Sequence, residues 1–379
     1  MRCSVRPLSP LIVAMHATRR AGTLASTSSQ RIQATDTPCI VTMQQMMRGR
    51  EGILSLAQGI VHWSPPAAAL QEASDLVTQA STSLYGADDG LPELRTALKA
   101  KIAAENGLVA SEVMVTAGAN QAYTNVVLSL LDAGDAAVLF KPYYFNHLMA
   151  LQMTGSSAEV VVAPSTSELQ PDLTVLRAEM EARRAEGRPP VRMVTISNPG
   201  NPTGVMIPKE SLVEAQALCV EHGAWLVMDN TYEHFEYPQE VPHHSVEGPN
   251  VINIFSFSKA FGMMGWRVGY VAYPPALGPQ LFKTQDTIVI CPPVLTLTLT
   301  LTLTLTLTSH PHPNPHPNPN PNPKHHRHLP TGANPNPHPN PHPNPHPNPH
   351  PNPHPNPHPN PHPNPHPHPH PHPHLSPSP

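Results

Sequence analysis

The sequence predicts an α/β domain built on a mostly parallel, seven-stranded sheet covered by helices. Three observations carry that expectation. Short apolar runs alternate with helical segments from residue 113 onward. Turns of small residues separate several of these pairs. The polar residues suited to chemistry gather where apolar runs end, which is where such sheets hold ligands.

Taken in order, residues 54–59 are a short extended run ending on Gly59, and residues 66–82 read as an amphipathic helix. Residues 85–91 form a turn-rich loop. Pro92 then opens a strong helix closed by Gly107. Strands are expected at 113–116, 136–140, 159–162, 192–197, 224–229, 251–255 and 268–272, with helices at 122–131, 173–184 and 209–221 among them. The domain plan that follows is a leader over 1–35, an N-terminal arm over 36–62 belonging to a smaller domain, the sheet domain over 63–291, and a low-complexity tail over 292–379.

The composition of the whole chain hides this plan. Of 379 residues, 52 are proline and 25 are histidine, but only seven histidines precede residue 300. A net charge of −4 gives no general attraction to nucleic acid or to a membrane surface. Cys3, Cys39, Cys219 and Cys291 are scattered, without a C-x-x-C pair. That suggests a reducing compartment, with no disulfide framework or zinc site. No apolar run reaches spanning length. Residues 1–35 hold Arg2, Arg6, Arg19, Arg20 and Arg31, and the first acidic residue is Asp36. This reads either as a mitochondrial or plastid transit peptide or as a disordered leader; without a transit peptide the expected location is cytoplasmic.

Four stretches carry the chemistry. In Ser256-Phe257-Ser258-Lys259-Ala260-Phe261-Gly262, a lone lysine sits among small and apolar residues, and Arg267 follows it. Desolvation and a nearby cation lower an amine's pKa and free its lone pair, which suits Schiff-base chemistry; the plainer alternative is a surface lysine. Asn198-Pro199-Gly200-Asn201-Pro202-Thr203-Gly204 follows a strand, and its two Asn-Pro pairs force a non-helical backbone that aims two amides in fixed directions. Asp229 ends the apolar strand WLVMD, with Tyr232 three residues on. A carboxylate there needs a partner: a protonated pyridine nitrogen, or the N–H groups of a helix it caps. Gly118-Ala119-Asn120 joins a strand to a helix, which makes either a phosphate site or a tight turn. Ser256, Ser258 and Arg267 would complete a phosphate cradle, and Tyr144 would stack on an aromatic ring or fill the core.

Asn201, Asp229, Lys259 and Arg267 are spaced 28, 30 and 8 residues apart, each at a strand end. Together they resemble the class I aminotransferases of fold type I, which use pyridoxal 5′-phosphate (PLP). The resemblance covers residues 53–291. It implies that Lys259 forms the Schiff base and carries the proton. By the same resemblance Asp229 pairs with the pyridine nitrogen, Tyr232 and Asn201 bond the ring oxygen, and Tyr144 stacks on the ring. Gly118, Ala119, Asn120, Ser256 and Arg267 would hold the phosphate. Tyr85 would reach the phosphate of the neighbouring subunit in a homodimer, and Gly59 and Asn201 would lie at the substrate carboxylate. Partners implied are an amino acid and a 2-oxo acid. The stretches LAQGIVHWSPP, VTAGANQAY, NPGNPTG, DNTYEHF and FSFSKAFGMMGWRVGYVAY look most like plant aromatic aminotransferases that use methionine and indole-3-pyruvate.

The resemblance then stops. Residues 295–308 are pure Leu-Thr alternation, and from His310 the chain is Pro-Asn and Pro-His repeats. Leu-Thr and Pro-Asn are two reading frames of one hexanucleotide repeat, so the tail reads as a translated simple repeat, expected as polyproline II or disorder. The family's C-terminal segment completes the small domain and supplies an arginine for the substrate carboxylate. Here Arg327, inside the repeat, is the only arginine after Arg267. The sequence therefore admits an active aminotransferase, a lyase or synthase on the same fold, or an impaired PLP-binding remnant.

Overall fold

A computed structural model describes residues 28–153, 159–237 and 241–294. The transit-peptide reading up to residue 27 and the repeat tail from 295 lie outside the described residues. Seven strands form one sheet: β1 (Glu112–Thr116), β2 (Ala136–Phe140), β3 (Glu159–Ala163), β4 (Val191–Ser197), β5 (Trp225–Asp229), β6 (Val251–Ser256) and β7 (Gly269–Tyr273). Their order is β1-β7-β6-β5-β4-β2-β3. The run from β6 to β3 is parallel, and β7 is antiparallel to both its neighbours.

The antiparallel exception follows from chain length. Parallel neighbours need a crossover, usually a helix, whereas antiparallel ones can be joined directly. Only residues 257–268 link β6 to β7, with a single 3₁₀ turn at Met264–Trp266. The start of β7 therefore lies beside the end of β6, with Ser256 opposite Gly269, and Gly269 also pairs with Thr116 at the end of β1.

Nine helices are described: α1 (Gln30–Ala34), α2 (Cys39–Met47), α3 (Ala67–Leu76), α4 (Pro92–Asn106), α5 (Ala119–Leu130), α6 (Phe145–Met153), α7 (Leu173–Glu186), α8 (Lys209–Glu221) and α9 (Gly278–Val289). Period-two alternation in the strands divides the core. Val194, Leu226 and Met228 pack with Leu176, Leu212 and Leu218 of α7 and α8. Met193, Val227 and Ile254 pack with Tyr123, Val126 and Leu151 of α5 and α6 and with Leu281 of α9. A third cluster joins Leu94, Leu98 and Ile102 of α4 to Phe255 and Tyr270. Among the described residues, no helix is long and apolar enough to cross a membrane.

Two helix expectations are corrected. The helix over 66–82 ends at Leu76, and a 3₁₀ turn follows at Ala80–Ser83; the Thr82 hydroxyl bonds the carbonyls of Leu76 and Gln79, a local competition that ends helices. The run over 54–59 pairs with no strand among the described residues, and Leu54 and Leu56 are exposed. The helix expected from residue 122 starts at Ala119, because Gly118 at φ 89° makes the turn in one residue. Residues 28–35, assigned to the leader, contain α1, and the Asp36 that follows bonds Gln152 of α6.

Leu226 is fully buried between β5's neighbours and α8. Leu226→Ala is expected to lower the unfolding free energy by about 2–5 kcal/mol, read as a reduced denaturant midpoint at unchanged slope; a midpoint equal to wild type would contradict this placement of the core.

Candidate active site

The ends of β4, β5 and β6 and the starts of β7 and α5 open onto one cleft of about 650 Å³. Lys259 lies in it, three residues beyond β6. Its Nζ donates to the carbonyl of Gly59 at 2.6 Å, so the otherwise exposed run over 54–59 crosses the cleft at its last residue. Burial, with Arg267 adding to it, holds the Lys259 pKa below the ordinary lysine value. Both causes are the ones the sequence pattern anticipates.

Asp229 is the last residue of β5, opposite Ser197 of β4. Its Oδ1 accepts from the backbone N–H and the hydroxyl of Thr231, at 3.1 and 2.6 Å. Its Oδ2 lies 3.0 Å from Nε2 of His147 on α6. Burial alone pushes this carboxyl upward, but the His147 and Thr231 contacts hold it below its ordinary value. The helix-capping alternative is removed: residues 231–234 form a turn, and among the described residues no helix follows before β6. His147 is itself ordered by the Tyr123 ring, stacked at 4.1 Å, and by the edge of Tyr144 at 5.3 Å. The Tyr123 hydroxyl meets Thr195 on β4 at 2.9 Å.

Asn201 and Tyr232 meet across the cleft, Nδ2 donating to the phenol oxygen at 3.4 Å. Burial and then Asp229 push the Tyr232 phenol up to about 12, so it is neutral at pH 7. The doubled Asn-Pro pattern aims only one amide this way. Asn198 is fully buried and structural: its Oδ1 accepts from Ile207 N–H at 2.9 Å and its Nδ2 donates to the His244 carbonyl.

At the other end of the cleft, Ala119 and Asn120 form the first turn of α5, whose free N–H groups favour an anion. The Arg267 guanidinium donates to the carbonyls of Ala117 and Met264. Residue 118 adopts φ 89°, where a side chain is strained, and it packs against that guanidinium, which together favour glycine. Ser256 faces the same end, its hydroxyl accepting from the Ser258 N–H at 3.1 Å. Tyr144 lines the cleft, and its hydroxyl accepts from Asn146 at 2.9 Å. Tyr85 is 82 % exposed and takes no part in this cleft. Of the residues named from sequence, Tyr85 and Asn198 lie apart, and the others come together at this cleft. His147, Thr231 and Tyr123 were not named. The one available signal for His147 was a histidine inside the apolar helix FNHLMALQM.

A half-buried amine, a buried carboxylate and an anion-binding helix start lining one cleft define a lysine-centred cofactor site. The family described as aminotransferase class I and II matches residues 51–305. The chain is 46 % identical over 272 residues to the aromatic aminotransferase ISS1 of Arabidopsis thaliana, covering 71 % of this chain and 68 % of that protein. It is 31 % identical to an aspartate/prephenate aminotransferase of Thermus thermophilus, covering 65 % of this chain and 64 % of the relative. Among solved structures, Thermus thermophilus aspartate aminotransferase with maleate superposes with TM-score 0.66 at 28 % identity over 75 % of this chain and 74 % of that one. The chain belongs to the class I and II aminotransferases, and spans about two thirds of the length of these curated relatives. Their cofactor is PLP, and the cleft fits it: an unblocked helix start beside an arginine suits a phosphate, and a carboxylate held ionised suits a pyridinium.

Only a neutral amine attacks a carbonyl. With its pKa lowered, Lys259 sheds its proton at lower pH than a solvent lysine. The rate at which apoprotein captures PLP, followed by stopped-flow absorbance, is expected to rise with pH about a midpoint below 10.5; a midpoint at or above that value would contradict the desolvated placement.

Proposed function

We propose that this chain transfers the amino group of an aromatic amino acid or methionine to a 2-oxo acid, with Lys259 as the catalytic residue. The observation that carries this reading is the half-buried Lys259 amine, its pKa lowered, in the same cleft as the buried carboxylate of Asp229. The similarity to an Arabidopsis aromatic aminotransferase supports the substrate class. When bound, PLP supplies a carbonyl carbon for the amino group and an electron sink for the substrate Cα–H bond.

The chain's own residues do the rest. Lys259 would accept and return the proton of the substrate Cα, work typically worth about 10²–10⁴-fold in rate. Asp229, kept ionised by His147 and Thr231, would hold a proton at the ring nitrogen. Asn201 and Tyr232 would bond the ring oxygen, and Tyr144 would stack on the ring. The Gly118–Asn120 amides, Ser256 and Arg267 would bind the phosphate. Gly59 and Asn201 receive the substrate carboxylate, and the 54–59 run shields that side from water. Residues 63–291 form the cofactor domain in this reading, and 36–62 belong to the arm.

The active form in this reading is a homodimer in which Tyr85 reaches the partner's phosphate. The exposure of Tyr85, Leu54 and Leu56 supports it. A second reading, a PLP-binding protein with impaired turnover, is favoured by one observation: Lys259 and Arg267 are the only cationic lysine or arginine side chains lining the cleft among the described residues. A single-turnover assay with L-phenylalanine or L-methionine separates the two by the appearance of the 2-oxo acid; release of ammonia instead would mark a lyase.

Borohydride reduction followed by mass spectrometry is expected to fix PLP on Lys259 in wild type and nowhere in Lys259→Ala, whose single-turnover rate falls by at least about 10²-fold. Attachment that persists in Lys259→Ala sinks the proposal. Mixing inactive Lys259→Ala with inactive Tyr85→Ala subunits is expected to restore about a quarter of wild-type activity, because half the dimers are mixed and each holds one intact site; no recovery, with subunit exchange verified, contradicts the shared site.

A further inference from the structure

Residues 229–233 divide their side chains between two environments. Asp229 and Tyr232 line the cleft. Asn230 and Glu233 are buried elsewhere, in a polar cluster that the transamination chemistry does not use. Asn230 donates to Asn253 at 3.0 Å, and its Oδ1 lies 3.1 Å from Nε2 of His243. Glu233 is bound by α4: Lys101 Nζ meets its Oε1 at 2.9 Å, and Asn106 Nδ2 donates to its Oε2 at 2.8 Å. His234 Nε2 lies 3.3 Å from the same carboxylate.

Lys101 is 2 % exposed, with Glu105 as a second partner at 2.9 Å and the Phe255 ring 5.8 Å away. Burial opposes the charge on both members, yet Lys101 stays above its ordinary pKa and Glu233 below its own, each held by the other. A pair of well-packed apolar side chains would serve stability as well as a buried ion pair does. What the pair adds is direction: two short bonds to one rigid helix fix the residue next to Tyr232. Tyr232 has only one side-chain hydrogen-bond contact of its own among the described residues, the 3.4 Å approach of Asn201.

We propose that the Lys101–Glu233 ion pair is a positioning device that sets the Tyr232 phenol in the cleft from the far side of the turn. This rests on the role given above to Tyr232 in holding the cofactor. Lys101 and Glu233 touch neither cofactor nor substrate; they act through Tyr232.

The test is a double-mutant cycle read on PLP affinity, by titrating the full-chain apoprotein and following cofactor absorbance. Tyr232→Phe is expected to weaken binding about tenfold, the worth of one hydrogen bond to a charged group. Glu233→Leu, which leaves Lys101 paired with Glu105, is expected to weaken it by a similar factor. The double variant is expected to be no weaker than Tyr232→Phe alone, and Glu233→Gln to recover most of the loss. A purely structural ion pair would lower the melting temperature while leaving affinity untouched, or would multiply with Tyr232→Phe; either result overturns the positioning role. Should Glu233→Leu not fold, Lys101→Met is read in the same cycle. If Tyr232→Phe itself binds PLP as wild type does, the role of Tyr232 fails and this proposal with it. An affected Tyr232→Phe beside an unaffected Glu233→Leu overturns the positioning alone.

Discussion

The antiparallel seat of β7 between β1 and β6 is the constraint on which the site depends. A strand entering against its neighbours begins where they end. Gly269 therefore lies between Thr116 and Ser256, and the residues just outside all three strands share one edge. Lys259, Arg267 and the start of α5 meet there because of register. A one-residue slip would turn every side chain of β7 to the other face and separate Arg267 from Gly118. The fully buried β6 and β7 make such a slip costly.

Electrostatics divides the cleft thus assembled. Its cations, Lys259 and Arg267, extend from the β6–β7 connection, whereas its anion, Asp229, ends β5 and is contacted from behind by His147 of α6. The carboxylate needs that second contact because burial works against its charge. The Tyr123 ring, stacked on His147 and tied to β4 through Thr195, fixes the imidazole in turn. A chain of contacts from β4 through α5 and α6 thus ends on one oxygen of Asp229, which leaves little freedom in where its charge can lie.

Much of this was legible in the sequence because it is written in local periodicity. Each of the seven strands was found within a few residues of its place, as were the helices at 92–106, 173–186 and 209–221. The site residues Asn201, Asp229, Lys259 and Arg267 could be read because strand ends are marked by an abrupt change from apolar to polar residues. What could not be read depends on contacts between distant segments. Asn198 and Asn201 sit in identical Asn-Pro contexts, and only the position of the Ile207 and His244 backbones makes the first structural. His147 is one histidine in an apolar helix until α6 is laid against the end of β5. Lys101 likewise reads as an ordinary surface lysine in a charged helix until Glu233, 132 residues later, is placed against it.

The position of β7 also bears on how the chain reaches this structure. Among the described residues, β1 is the first strand in sequence and lies at one end of the sheet, and its only strand neighbour, β7, is the last in sequence. Until β7 arrives, β1 has no ladder and β6 presents an open edge. Joining them requires closing a loop that spans nearly the whole domain, and contacts of such high sequence separation form slowly. The edge that brings Lys259, Arg267 and the start of α5 together is therefore expected to be the last part of the described sheet to form. Before that moment the β6 edge is the surface on which a nascent chain is most open to pairing with another.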